Sequence, residues 1–207
     1  MKRSEAPDER STDSLFQQYY DERIQLYPLE ATLNGINTYN DQLPNDISEA
    51  YRTKLRAFYQ KYLDTLNTYD RTKLDHNDQM SYDVLQWELN INLEQLSFHD
   101  NLMPINQFWS LPLTMGQLGS GSGNQPFKTA EDYTNFLKRL DGFAVWCDTA
   151  IVNMKRGLSL GITPPKILME RVLPQLKSVI SQDVTKSIFY MPVLNMDSSI
   201  SETERDQ

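Results

Sequence analysis

Catalytic chemistry in a protein of this length usually needs a base, a nucleophile or a metal-ligand set, so the candidates come first. The chain holds two histidines, His76 and His99. A helix-borne zinc site needs two histidines one helical turn apart, with a glutamate between them as general base. His76 and His99 have no such spacing and read as capping or surface residues. Cys147 is the single cysteine, which excludes an internal disulfide. It falls on an apolar helical stripe with no histidine near it in sequence, so it reads as a buried thiol rather than a nucleophile.

Ser120 and Ser122 sit in the run Gly119-Ser120-Gly121-Ser122-Gly123. A nucleophile elbow would need a strand before it and a helix after it. A phosphate loop would need a Gly-Lys-Ser/Thr ending. Neither is present, and the run reads as a flexible lid or connector. Glu88 and Glu94 do not share a helix face, so they are no acid/base pair. One segment combines amides with aromatics, Pro104-Ile105-Asn106-Gln107-Phe108-Trp109. Asn106, Gln107, Phe108 and Trp109 could line a substrate cleft; the competing reading is that they seal the domain against neighbouring structure.

The elements that would position these residues are helical. A helix starts near Ser14 and stops before Pro28. A short one follows from Pro28 to Asn34, with proline in its first turn and Gly35 just beyond its end. Asn40–Asn45 is a turn segment. Tyr51, Leu55, Phe58, Tyr62 and Leu66 give one apolar face of a helix over 48–67. Asp75 to Asp78 supply cap chemistry for a helix over about 77–98. Its apolar positions fall on two adjoining stripes, Met80/Val84/Trp87/Ile91 and Leu85/Leu89/Leu96, which predicts burial against more than one partner.

Residues 99–127, with Pro104, Pro112, Pro126 and the glycine run, read as one long Pro/Gly-rich loop. Thr129 caps a long helix carrying Phe136, Leu140, Phe143, Cys147, Ile151, Met154 and Leu158, ended by Gly161. Thr163 and Pro164 open the next, which Pro174 is placed to kink. No strand pattern emerges. The expectation is an all-α, irregular multi-helix bundle of about six to seven helices. Residues 1–13 read as a disordered arm, 14–200 as one helical domain, and 201–207 as the start of a truncated helix. Ser201-Glu202-Thr203-Glu204 is the basis for the last of these, being a capping box; the alternative is a frayed acidic tail.

With 207 residues, 39% hydrophobic and 23% charged, the composition is that of a soluble globular protein. The net charge is −8 and basic residues are not clustered, which speaks against a nucleic-acid partner. No apolar run is long enough for a membrane span. Met1-Lys2-Arg3 is followed by Ser4-Glu5-Ala6-Pro7, so no signal peptide is present. A cytosolic protein and an exported one without its leader both fit.

Four stretches, in order, resemble one family. They are Tyr27–Gly35, Ser81–Leu89, Pro104–Gln107 with Phe127–Tyr133, and Asn153–Gly157 continuing through Gly161–Lys166 to Glu170–Val172. Together they resemble the N-terminal portion of the bacterial domain-of-unknown-function family 885. The resemblance implies a largely helical, gluzincin-like zinc metallopeptidase, often exported to the periplasm or lipid-anchored. It also implies a His-Glu zinc region far toward the C-terminus, which no residue here matches. On that basis this chain is expected to be a non-catalytic helical part of such a hydrolase, inactive alone. It would form one wall of a peptide-substrate cleft and pack against the C-terminal remainder of its own protein, where zinc is expected. The alternative is a free-standing helical binding module of unknown ligand.

Overall fold

The computed structural model describes residues 12–198 and 200–205. Every regular element among them is helical, so the all-α expectation holds. Their contacts divide into two compact units. One comprises residues up to Leu26 and Thr53–Phe98; the other comprises Tyr27–Arg52 and the chain from His99 onward. Residues 14–200, read from sequence as one helical domain, are thus distributed over both.

The first unit is built from α1 (Thr12–Leu26), the greater part of α3 (Glu49–Leu66) and α4 (His76–Gln95). Thr12 and Asp13 belong to α1 rather than to an arm; the rest of the expected arm, residues 1–11, lies outside the described residues. Thr12 is buried, and its hydroxyl donates to Asp78 Oδ2 at 2.6 Å. That bond holds the first turn of α1 against the start of α4. The interior is aromatic: Tyr19 stacks on Phe58 with centroids 5.4 Å apart, and Tyr62 meets Tyr19 edge-on at 5.1 Å. Offset and edge-to-face rings add to the gain from area burial alone. The Tyr19 hydroxyl donates to Glu88 Oε1 at 2.8 Å, and Arg23 Nε donates to the same oxygen at 3.1 Å.

Asp75 caps α4 as expected, accepting from the Asp78 backbone N–H at 2.9 Å. Only one of the two α4 stripes is covered, however. Tyr82, Leu85, Leu89 and Leu96 are buried, whereas Met80, Val84, Trp87 and Ile91 remain exposed, Trp87 by 66%. Burial on both faces is therefore not found. α1 and α3 supply packing for one side of α4 only, and the Met80–Ile91 row is left in solvent.

The second unit holds α2 (Pro28–Leu33), α5 (Leu111–Gly119), α6 (Ala130–Leu160), α7 (Lys166–Val179), α8 (Met191–Leu194) and α9 (Glu202–Arg205). The predicted loop 99–127 needs correction, because it contains α5 and a 3-10 turn at Asp100–Leu102. Proline hid the helix: Pro112 sits in its first turn, where a missing N–H costs nothing. Met115 and Leu118 of α5 join Phe136 of α6 as buried core, with Leu43, Phe127, Phe143 and Phe189 packed around them. The glycine run is likewise no free lid. A Cβ on Gly119 would lie 2.5 Å from Phe189 Cδ1, and Gly121, at φ +75°, lies against Pro192.

α6 carries the capping box read from sequence: Thr129 Oγ1 accepts from the Asp132 N–H at 3.3 Å, and Asp132 Oδ2 accepts from the Thr129 N–H at 2.9 Å. Its buried face follows the apolar stripe through Phe136, Leu140 and Phe143 but departs from it further along. Phe136, Arg139, Trp146, Ala150, Asn153 and Gly157 are buried, while Ile151 and Leu158 are exposed. The reason is backbone packed directly on the helix. A Cβ on Gly142 would lie 2.7 Å from the Leu43 carbonyl oxygen; one on Gly157 would lie 2.7 Å from that of Ile162 and 3.1 Å from that of Leu102. Asn153 Nδ2 donates to the Ile47 carbonyl at 3.0 Å. Small residues on α6 thus make room for backbone carbonyls, and Asn153 satisfies one that a leucine would leave unpaired.

Arg139 is the centre of this arrangement, with 0% exposure. Its Nη2 donates to Thr32 Oγ1 at 2.6 Å, to the Tyr39 carbonyl at 3.0 Å and to the Pro28 carbonyl at 3.2 Å. Nε donates to the Gln42 carbonyl at 3.2 Å, and Nη1 to Gln125 Oε1. Burial pulls its pKa down to about 10, against a partial offset from Asp41, so it stays charged at neutral pH. α7 begins at Lys166 after Pro165, not at Pro164, and Pro165 makes no side-chain cap. Pro174 lies inside α7, which continues past it. α9 follows Ser201, with the Arg205 N–H donating to the Ser201 carbonyl at 3.1 Å.

Replacing Arg139 by Met should destabilise the chain by at least about 3 kcal/mol in urea melts, because its acceptors are left buried and unpaired. Gly157→Ala should cost about 1–3 kcal/mol in the same assay, since the Cβ has backbone, not a flexible side chain, to displace.

Candidate functional site

The amide–aromatic segment forms a tight turn ahead of α5. Asn106 Oδ1 accepts from the backbone N–H groups of Phe108 at 2.8 Å and Trp109 at 2.7 Å. An asparagine accepting from the backbone two and three residues on makes a local turn that needs no other support. The turn presents Phe108 at 69% and Trp109 at 83% exposure, with ring centroids 6.1 Å apart. Gln107 is partly buried, and its carbonyl accepts from Gln175 Nε2 of α7 at 3.2 Å.

Two polar atoms beside this turn are buried and find no hydrogen-bond partner among the described residues: Ser110 Oγ, directly after Trp109, and Gln175 Oε1. Unpaired buried polar atoms are uncommon in folded proteins. Sequence reasoning singles out the four residues of the turn as cleft candidates and not these two, because Gln175 lies on another helix and nothing in its spacing marks it.

A second polar constellation lies on α6 and the segment before α3. The Trp146 indole N–H donates to Asp46 Oδ1 at 2.8 Å. Asp46 keeps solvent access yet is crowded by protein. Its pKa is raised, first by desolvation and in small part by the Asp100 carboxylate, with the Trp146 bond working in the opposite direction. Asp100 is itself held by Arg52, whose Nη1 donates to Oδ1 at 2.6 Å. Asn101 Nδ2 donates to Glu49 Oε1 at 3.0 Å. These pairs join residues far apart in the chain and carry no local signature. They clamp the 45–52 segment to α6 and the 100–102 turn.

The other sequence candidates are dispersed. His76 and His99 are exposed at the start of α4 and just after its unit ends. Cys147 is half-buried, and burial followed by Asp148 pushes its thiol pKa up, which lowers the thiolate fraction. The Ser120 and Ser122 hydroxyls bond each other at 2.7 Å. Among the described residues no group of three or more His, Cys, Asp or Glu side chains could hold a metal ion, and no helix is long and apolar enough to cross a membrane.

A family model described as "Bacterial protein of unknown function (DUF885)" matches residues 28–207. The chain belongs to the DUF885 family. No curated protein and no solved structure matches it. The DUF885 match takes in α2 through α9 and so includes the aromatic turn, Arg139 and the Asp46–Trp146 clamp.

Because the fold raises the Asp46 pKa above its ordinary 3.8, it favours the protonated carboxyl. Stability from this group is present at low pH and is lost as pH rises through the folded pKa. Asp46→Asn keeps an acceptor for Trp146 without the charge. Its thermal midpoint at neutral pH should equal or exceed that of the wild type, and the difference should close on acidification below the carboxylate range.

Proposed function

We propose that this DUF885 chain is the non-catalytic helical part of a zinc-dependent, metallopeptidase-like hydrolase, and that it forms one wall of the substrate cleft. The peptide substrate runs past the Asn106–Trp109 turn. Zinc and its general base come from another part of the protein, against which these helices pack. The protein works outside the cytoplasm, in the periplasm or on a lipid anchor.

The observation that carries this reading is the exposed aromatic pair. Phe108 and Trp109 offer apolar surface on a turn fixed by Asn106. An extended peptide brings side chains that pack on such rings, and aromatic side chains line most ligand sites. The hydrolase context comes from the resemblance of the four sequence stretches to gluzincin-like proteins, and the two histidines, at 76 and 99, lack the zinc-helix spacing.

A second reading, a helical interaction module, is favoured by the exposed Met80–Ile91 row of α4, because large uncovered apolar surface commonly marks a docking face.

In a metal-controlled preparation, the pure chain should retain no stoichiometric zinc and cleave no peptide. Extended peptides should perturb Trp109 emission, and Trp109→Ala should weaken their binding at least about tenfold, as for an anchor residue. Cleavage by this chain, or binding unaffected at Trp109 but lost in Trp87→Ala, would overturn the cleft-wall reading; the second outcome favours the interaction module.

A further inference from the structure

Residues 34 and 35 are Asn-Gly, directly beyond α2. An asparagine followed by glycine can lose its side-chain amide without an enzyme. The Gly35 nitrogen, after giving up its proton to solvent base, attacks Cγ of Asn34. The new C–N bond closes a five-membered succinimide ring, the C–NH2 bond breaks, and ammonia leaves. Water then opens the ring at either carbonyl, giving aspartate or isoaspartate, with no oxidant or reductant. Glycine favours the reaction because it has no Cβ to block the approach.

Asn34 and Gly35 are both exposed, and the position of a Cβ on Gly35 has nothing within 4 Å. Solvent base and water therefore reach the site freely. The backbone is nevertheless set against ring closure. Asn34 has φ −85° and ψ 5°; the ring requires the Gly35 nitrogen to eclipse Cβ, which needs a large rotation about the Cα–C bond. Gly35 has φ +78°, and its N–H donates to the Thr32 carbonyl at 3.0 Å, while the Ile36 N–H donates to the Ala31 carbonyl at 2.8 Å. This is a Schellman cap, the usual glycine ending of a helix. The rotation that closes the ring breaks both bonds.

We propose that Asn34–Gly35 is a deamidation site latched by the α2 cap, reacting only when that cap opens. The modification feeds back on the fold. It places a negative charge at a helix C-terminus, the end that disfavours one, and the isoaspartate product lengthens the backbone inside the cap. Thr32 and the Pro28 carbonyl, both in α2, are partners of Arg139, so a modified cap loosens the arginine's anchorage. The site then acts as an irreversible record of how often this corner of the molecule has opened.

The test incubates the whole chain in mildly alkaline buffer, folded and in urea, beside a synthetic peptide of residues 31–37. Proteolytic mapping with mass spectrometry and an isoaspartate assay reads conversion at position 34; Asn34→Gln is the site control. The folded chain should convert at least about tenfold more slowly than the peptide, as expected if reaction follows local opening. In urea it should convert at the peptide's rate. A folded chain that converts as fast as the peptide, or a chain in urea that stays unconverted, overturns the proposal.

Discussion

One buried guanidinium organises the second unit. Arg139 has no solvent access, and the groups that receive its hydrogen bonds are uncharged: three backbone carbonyls, a threonine hydroxyl and a glutamine amide. A charge can be kept in such a place only if its donors are matched, because desolvation alone would expel it. The matching fixes geometry as well as energy. Five rigid N–H donors dictate where the end of α2, the 39–42 segment and Gln125 sit relative to α6. Apolar residues in the same volume would give comparable burial without that direction.

The consequence for α6 is an inner face that is apolar at Phe136 but is set by hydrogen bonding and close approach at Arg139, Gly142, Asn153 and Gly157. Gly142 and Gly157 admit carbonyl oxygens, Asn153 binds another, and Trp146 takes the Asp46 carboxylate. Short irregular segments can then lie directly on the helix with their backbone groups satisfied. The aromatic turn and α5 belong to the same unit, and α5 packs Met115 and Leu118 against Phe136 of α6. The Phe108–Trp109 turn is seated through α5, which follows it directly, and through the Gln175 bond from α7 to the Gln107 carbonyl.

Much of the fold was legible in the sequence, because helix caps and apolar periodicity are local. Asp75, Thr129 with Asp132, and Gly161 act where expected. α5 was not legible, since Pro112 and Gly119 read as breakers although one sits in a first turn and the other under Phe189. The buried face of α6 was misread for a deeper reason. An apolar count favours Ile151 and Leu158 over Arg139 and Asn153, and only the three-dimensional partners, about a hundred residues away, reverse that preference. The candidate site divides in the same way: Asn106 to Trp109 are contiguous and could be read, while Ser110 Oγ and Gln175 Oε1 gain meaning only from their surroundings. The Met80–Ile91 row shows the limit in reverse, for a stripe that sequence assigns to the core stands in solvent.

The claim on which this account most depends is that Arg139 holds α2 through Thr32. A double-mutant cycle with Arg139→Met and Thr32→Val, read by urea unfolding, tests it directly. The account predicts a coupling of about 1 kcal/mol or more, as for residues sharing one hydrogen-bond network. Additivity within about 0.3 kcal/mol, the behaviour of independent sites, would contradict it.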